Sequence, residues 1–369
     1  MAQLKIEGLC KGWDFPVIDR MDLTVEDGEF FVVVGPSGIG KTTLLRLIAG
    51  LESPNEGRII LGGNDISRLP PYKRPVAMTF ESYALYPHLS VFENIASPLR
   101  ARRLPKAEIE KRVMDVARLL KIDQLLTRRP AEVSGGQKQR TALGRTLVAE
   151  PEVFLLDEPI SHLDAKIRHE LREQFHTLEA LRRVANVYVT HDYAEALSLG
   201  DRIGVMGRGG FVQIGSAHEV FEKPQTLFVA EHLGQPSINV LDCELTTEDG
   251  ILHARHRESS LTVPVAQAHV QRLNGGNAGR VSYGIRPQHV AVMADGEVAR
   301  NGLHVVDSTV TLFEPLGTYA ILIAETAGAT ITALSSPEHR YAQGESIRLG
   351  IDTEEAFFFD AVNGENLVL

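Results

Sequence analysis

The sequence predicts two consecutive units: an α/β unit with a largely parallel sheet over residues 1–235, then a β-rich unit over residues 236–369. Three observations carry the prediction. Short apolar runs alternate with helical segments in the first part, the pattern of strands and crossover helices in a parallel sheet. In the second part, β-prone runs are separated by Gly, Asn and Pro, as in small β-barrels. The charge also changes abruptly. From Ser237 onward 17 acidic residues face 8 basic ones, so that part holds −9 of the chain's net charge of −10, and the last lysine is Lys223. Gly234-Gln235-Pro236 marks the boundary.

Phe30-Phe31-Val32-Val33-Val34 is apolar throughout, as a strand buried on both faces must be. Gly35-Pro36-Ser37-Gly38-Ile39-Gly40-Lys41-Thr42 follows and fits G-x-x-x-x-G-K-[ST]. Thr43 then opens a helical stretch that runs to residue 49. Strand, glycine loop and helix form the context that a phosphate-binding loop requires. The glycines let backbone N–H groups converge on phosphate oxygens, and the helix N-terminus adds positive charge. Lys41 is placed to reach the β- and γ-phosphates and the Thr42 hydroxyl to hold Mg²⁺. Gly35 through Thr43 are therefore nucleotide-binding candidates in an α/β P-loop domain.

A further strand is expected over residues 76–80. A mostly helical subdomain, about residues 85–150, follows and includes helices over 106–120 and 137–149. Val153-Phe154-Leu155-Leu156 reads as a buried strand that ends in Asp157-Glu158-Pro159. The carboxyl ends of parallel strands are where such sheets bind ligands. Asp157 suits Mg²⁺ held through water, and Glu158 suits a general base that polarises water for attack on a γ-phosphate. Taken alone, the pair also fits an ordinary polar turn. One helix over 165–183, a strand over 186–190 and a helix over 193–199 complete the unit. The later part offers strands at Leu261-Thr262-Val263, Val290-Ala291-Val292, Thr309-Val310-Thr311-Leu312 and Ala320-Ile321-Leu322-Ile323.

Composition bounds the function. With 43% hydrophobic and 23% charged residues, the chain is an ordinary globular protein. Cys10 and Cys243 alone offer neither a disulfide framework nor metal-ligand spacing, which fits a reducing cytosol. The first residues lack signal-peptide character, and no apolar run reaches the roughly 18 residues needed to span a bilayer. Passage through a membrane would need other chains. The acidic later part lacks the basic face that nucleic acid requires, so no nucleic-acid partner is expected.

Ser134-Gly135-Gly136-Gln137 precedes a helix, with Ser134 placed as its cap, just upstream of the acidic strand. That order resembles the ATP-binding cassette (ABC) family, whose signature is usually LSGGQ and here reads Val133-Ser134-Gly135-Gly136-Gln137. The resemblance implies that this helix start binds the γ-phosphate of ATP held by the opposite subunit, and hence a dimer, with a homodimer expected. Ser161-His162-Leu163-Asp164 matches the family's D-loop, with His162 a departure and Asp164 a nucleotide-site candidate. His191 matches the switch histidine that contacts the γ-phosphate, and with Glu158 forms the candidate catalytic pair. Trp13 stands where the family stacks an aromatic on adenine. A core position is the alternative, with Phe15 as a second stacking candidate.

The stretch Phe80-Glu81-Ser82-Tyr83-Ala84-Leu85-Tyr86-Pro87-His88-Leu89-Ser90-Val91 resembles the Q-loop of maltose- and glycerol-phosphate-type importers, usually FQNYALYPHMTV. The resemblance makes Tyr83, Leu85, Tyr86 and Pro87 groove residues for the coupling helix of a membrane permease, and Glu81 a candidate Mg²⁺ ligand. Glu81 replaces the usual glutamine, which is neutral and can donate a hydrogen bond; an ionised Glu81 cannot. Gly284-Ile285-Arg286-Pro287-Gln288 and Glu314-Pro315-Leu316-Gly317 resemble the OB-fold-like regulatory domains of the same importers. The resemblance covers the whole chain. It implies an ATP- and Mg²⁺-dependent ATPase, peripheral on the cytoplasmic face of the bacterial plasma membrane. Its expected partners are a second ATPase subunit, two permease subunits and a solute-binding protein. The expected cargo is a carbohydrate or a carbohydrate derivative, with polyamine, metal or anion as the alternative. A soluble ABC ATPase acting on ribosomes or DNA fits less well, because the chain has one cassette and an acidic tail. A regulatory module without turnover fits poorly with intact Glu158 and His191.

Overall fold

In a computed structural model that describes residues 2–161, 163–274, 279–294 and 302–369, the chain forms two compact units that divide after His218. The first opens with β1 (Leu4–Gly12), β2 (Pro16–Val25), β3 (Phe30–Val34), α1 (Lys41–Ala49), β4 (Glu56–Leu61) and β5 (Asn64–Asp65). β6 (Val76–Thr79) and three helices follow: α2 (Val91–Ala101), α3 (Lys106–Leu119) and α4 (Gly135–Leu147). Then come β7 (Val153–Asp157), α5 (Ala165–Thr177), α6 (Glu179–Arg182), β8 (Ala185–Val189), α7 (Tyr193–Leu199), β9 (Arg202–Gly207) and β10 (Gly210–Gly215).

The six-stranded sheet has the order β10-β9-β3-β8-β7-β6. All neighbours in it are parallel except the β9–β10 hairpin. β3, β7 and β8 are buried at every residue, as their apolar runs require. Their carboxyl ends therefore meet at one edge of the sheet, directly before Gly35, Glu158 and Thr190. α1 packs its Leu44, Leu45, Leu47 and Ile48 into the core beneath.

Three features depart from the sequence reading. The units divide after His218 and not at Gly234-Gln235-Pro236, because the segment between is tied to the later unit: Asn366 Nδ2 donates to the Pro224 carbonyl, Arg286 donates to the Phe221 carbonyl, and the Leu227 N–H donates to the Gly364 carbonyl. A second, antiparallel sheet, β2-β1-β4-β5, covers the same core and was not expected from an α/β alternation. Its strands place charged residues on one face, and β-bulges interrupt the period of two between Ile6 and Gly12, so the alternation in the sequence is broken where the strand is not. The single helix expected over 165–183 is divided at Leu178, whose ψ is 107°. Beyond the break Leu181 is buried, and its carbonyl accepts from Asn186 Nδ2 at 2.7 Å.

The chain passes through α8 (Ala217–Glu222) and α9 (Leu227–His232) into the second unit. There β11 (Asn239–Glu248), β12 (Ile251–His256), β13 (Thr262–Pro264), α10 (Gln267–Asn274), β14 (Arg280–Ile285) and β15 (Val290–Met293) precede β16 (Leu303–Pro315), β17 (Ala320–Thr326), β18 (Ala329–Ser335), β19 (Ser346–Asp352) and β20 (Phe357–Asp360). They form two antiparallel five-stranded sheets, β13-β12-β11-β14-β20 and β15-β19-β16-β17-β18, around one apolar core. Arg286 is buried inside this unit. It donates to the carbonyls of Leu233 at 2.5 Å and Phe221 at 2.7 Å and lies 3.8 Å over the Phe221 ring. Burial pushes its pKa down to about 10, the cost of holding a cation among carbonyls and rings. Leu316-Gly317 lies in the turn that closes the β16–β17 hairpin, with Gly317 at φ 91°.

Candidate functional site

β3 runs directly into Gly35, where the loop to α1 begins in contact with β9. A Cβ at Gly35 would lie 2.4 Å from the Met206 carbonyl oxygen, so only glycine fits. Gly40, at φ 116°, caps α1 in a conformation that L side chains rarely adopt. The loop wraps Lys41, whose Nζ donates to the carbonyls of Gly35 at 2.8 Å and Pro36 at 2.9 Å. Burial pulls the Lys41 pKa down, while the charges of Glu158 and Asp157 oppose that shift. Ser37 and Gly38 are exposed at the loop crest, and Ile39, Thr42 and Thr43 are half-buried.

Asp157 ends β7 almost wholly buried. Its N–H donates to Thr79 Oγ1 at 2.9 Å, and its Oδ1 accepts from Thr42 Oγ1 at 3.3 Å. Burial pushes its pKa up to about 6, the Thr42 hydrogen bond lowers it, and the charges of Glu158 and Glu81 raise it. A divalent cation would relieve this concentration of negative charge, so the residues present fit Mg²⁺. Among the described residues no group of three or more His, Cys, Asp or Glu could hold a metal by itself. Mg²⁺ there would draw on Thr42 and Asp157 together with phosphate and water; Glu81, the third candidate ligand, is exposed, and its charge raises the pKa of Asp157.

Glu158 is the strained residue of the site, with φ 45° in the left-handed region. Its N–H donates to the Val189 carbonyl at 2.9 Å, tying the turn to β8. Its Oε1 lies 3.0 Å from Nδ1 of His191, which is exposed just beyond the same strand. The Glu158 carbonyl accepts from Gln139 Nε2 at 2.9 Å and from Ser161 Oγ at 3.1 Å. Lys41, Thr42, Asp157, Glu158 and His191 thus meet at one edge of the sheet.

The other predicted residues occupy distinct places. Ser134 caps α4, accepting from the Gln137 N–H at 3.4 Å, while Gln137 Oε1 accepts from the Ser134 N–H at 2.9 Å. This reciprocal box leaves Ser134 and Gly135 exposed and Gly136 half-buried at the helix start. Asp164 caps α5, accepting from the Ile167 N–H at 3.0 Å. His162 lies outside the described residues. Trp13 is 60% exposed in the loop between β1 and β2, so it is not a core residue; Lys11 Nζ sits 4.7 Å from its ring centre and Phe15 is also exposed.

Tyr83 and Ala84 are successive left-handed residues, at φ 64° and 44°. Arg145 on α4 donates to both carbonyls, at 3.1 and 2.7 Å. Asn94 fixes the next turn by accepting from the Tyr86 N–H and donating to the Tyr86 carbonyl. Tyr86 lines a depression of about 450 Å³ with Met78, Ala84, Pro98, Ala101 and Arg145. Leu85 is half-buried beside it and Pro87 is exposed.

Sequence reasoning missed the supporting residues. Gln139 is buried on the stripe of α4 that also holds Ala142, Leu143 and Thr146. A polar residue on an apolar stripe was the available signal. Arg168 on α5 donates to the Ser161 and Leu163 carbonyls and lies 3.5 Å from Asp192, which caps α7 beside His191. Glu195 is buried and accepts from Tyr188 and Thr190, and burial raises its pKa.

Comparison with known proteins agrees with this geometry. Residues 18–161 match the ABC transporter family, and residues 283–359 match the TOBE domain. The chain is 42% identical over 372 residues to the trehalose/maltose import ATP-binding protein MalK of Thermococcus litoralis, covering 99% of each chain. It is 40% identical over 370 residues to the sn-glycerol-3-phosphate import ATP-binding protein UgpC of Salmonella typhimurium, covering 100% of each. Among solved structures it resembles a dimeric ATP-binding cassette, MJ0796, in a post-hydrolysis state bound to ADP and Pi. The TM-score is 0.54 at 26% identity, covering 58% of this chain and 98% of that one.

Proposed function

The chain belongs to the ATP-binding proteins of ABC transporters, and from that premise we propose that it is the ATPase subunit of an importer for a carbohydrate or carbohydrate derivative. The observation that carries the reading is the meeting of Lys41, Thr42, Asp157, Glu158 and His191 at the carboxyl ends of β3, β7 and β8. Relatives that match the chain end to end are import proteins for trehalose/maltose and for sn-glycerol-3-phosphate, which supports the cargo class.

In this reading ATP enters along the phosphate loop, with Trp13 stacked on adenine. Lys41 exchanges its two carbonyl partners for β- and γ-phosphate oxygens. Thr42 and Asp157 would hold Mg²⁺, which when bound neutralises developing charge on the phosphates. Glu158 accepts a proton from the attacking water through Oε2, while Oε1 faces His191. His191 then contacts the γ-phosphate. The exposed start of α4, Ser134 to Gln137, supplies N–H groups to the ATP of a second subunit, so the active form is a head-to-tail dimer. In each subunit of the dimer Tyr83, Leu85, Tyr86 and Pro87 dock one of two permease subunits, whose complex includes a solute-binding protein. Among the described residues no helix is long and apolar enough to cross a membrane. The import roles in the relatives' names support a peripheral place on the cytoplasmic face, beside the permease subunits.

The shared site is tested by mixing. Lys41→Ala and Ser134→Arg chains should each be inactive as homodimers but regain measurable activity when mixed, because one composite site stays intact. ATPase assays on mixtures with confirmed mixed dimers check this; no recovery would reject the head-to-tail arrangement.

Glu81 provides a second test. Its charge adds to the field that raises Asp157. Removing that charge in Glu81→Gln should raise turnover about two- to fivefold and shift its Mg²⁺ dependence, the scale of an exposed charge interaction. ATP affinity should change less. Superimposable curves of turnover against free Mg²⁺, with permease subunits present, would place Glu81 outside the reaction.

A further inference from the structure

Glu158 has its backbone in the left-handed region, where a side chain is held only by its surroundings. Two donors hold its carbonyl: Gln139 Nε2 at 2.9 Å and Ser161 Oγ at 3.1 Å. Gln139 is 4% exposed on α4, and among the described residues its Oε1 has no hydrogen-bond partner. Turning the amide over would set that oxygen against the Glu158 carbonyl oxygen, so the donor must face Glu158. Gln139 follows the Ser134 cap by five residues, about 7.5 Å along a rigid helix at 1.5 Å per residue. A shift or rotation of the α4 start therefore reaches the Glu158 turn through one buried hydrogen bond.

In the head-to-tail dimer, on which this inference rests, the start of α4 and Glu158 of one chain serve different ATP molecules. We propose that Gln139 is a positioning residue through which occupancy of one nucleotide site sets the Glu158 turn at the other. With ATP against the α4 start, the Gln139 bond holds Glu158 in its left-handed turn and aligned with His191. With that site empty, α4 is free to shift and the carboxylate loses its alignment. Gln139 touches no nucleotide and takes no proton.

A double-mutant cycle tests this. Emptying one site in a mixed dimer, by Lys41→Ala in one chain, should slow the remaining site about tenfold when the chain carrying its Glu158 is otherwise unaltered. Gln139→Met keeps length and suits the apolar surroundings. A Gln139→Met homodimer should bind ATP within about twofold of the unaltered protein yet turn over about tenfold more slowly, a kcat effect without a KM effect. Emptying the second site should then slow it by less than about twofold further, because the connection is already cut. Gln139→Asn, whose amide falls one methylene short, should behave alike and serves if Gln139→Met folds poorly. Multiplicative effects, or no effect of the empty site in the unaltered chain, would overturn the proposal. Recovery in the Lys41→Ala and Ser134→Arg mixture alongside multiplicative effects removes this inference alone; no recovery removes the dimer and the inference together.

Discussion

Glu158→Gln should bind ATP normally and lose turnover by roughly 10²-fold or more, trapping a closed dimer. The substitution is nearly isosteric, and the backbone bonds that fix the turn, from Val189, Gln139 and Ser161, do not involve the side chain. The fold should survive, and a thermal melt is expected to match the unaltered protein within a few degrees. What is lost is the proton acceptor: a carboxamide oxygen is far less basic than a carboxylate. His191 Nδ1 can still meet the Oε1 position, so the geometry of the pair persists without its chemistry. Single-turnover hydrolysis and nucleotide binding, measured side by side, check the expectation. Near-normal hydrolysis would move the base role elsewhere, with Asp157 the neighbouring carboxylate.

The parts of the site that were legible share one property: their chemistry sits within a short stretch of chain. The phosphate loop, the Asp157-Glu158 pair and the Ser134 cap each announce themselves by local spacing, and the structure places each where a strand or helix ends. β3 and β7 were legible because burial on both faces forces a continuous apolar run. What escaped was produced by tertiary contact. Gln139 falls on the buried stripe with Ala142 and Leu143, but that spacing names no partner for it until the Glu158 carbonyl, 19 positions away, is set beside it. Arg145 is unremarkable in sequence, yet it holds Tyr83 and Ala84 in left-handed backbone from 62 and 61 positions away. The antiparallel sheet escaped because bulges between Ile6 and Gly12 shift the register and hide its period.

Lys41→Met should abolish the thermal stabilisation that ATP confers and reduce turnover by roughly 10²- to 10³-fold, the scale for losing one preorganised donor to a phosphoryl group. Stability without nucleotide should move in the opposite sense. Lys41 is 7% exposed, and burial disfavours its ammonium enough to pull its pKa down despite Glu158 and Asp157 nearby. Replacing it with an apolar chain of similar length removes that penalty. Gly35 and Pro36, whose carbonyls it leaves, are half-buried residues, so water can take its place. The nucleotide-free variant should therefore melt at or above the temperature of the unaltered protein. A saturating ligand at 100 times its Kd stabilises a fold by about 2.7 kcal/mol, so loss of binding is easily read. Melts with and without ATP, in the same buffer, separate the outcomes. A variant that melts lower without nucleotide would show that Lys41 holds the empty loop together through its two carbonyls. A variant that keeps its ATP-induced shift would show that the phosphates are carried by backbone N–H groups and the α1 N-terminus alone.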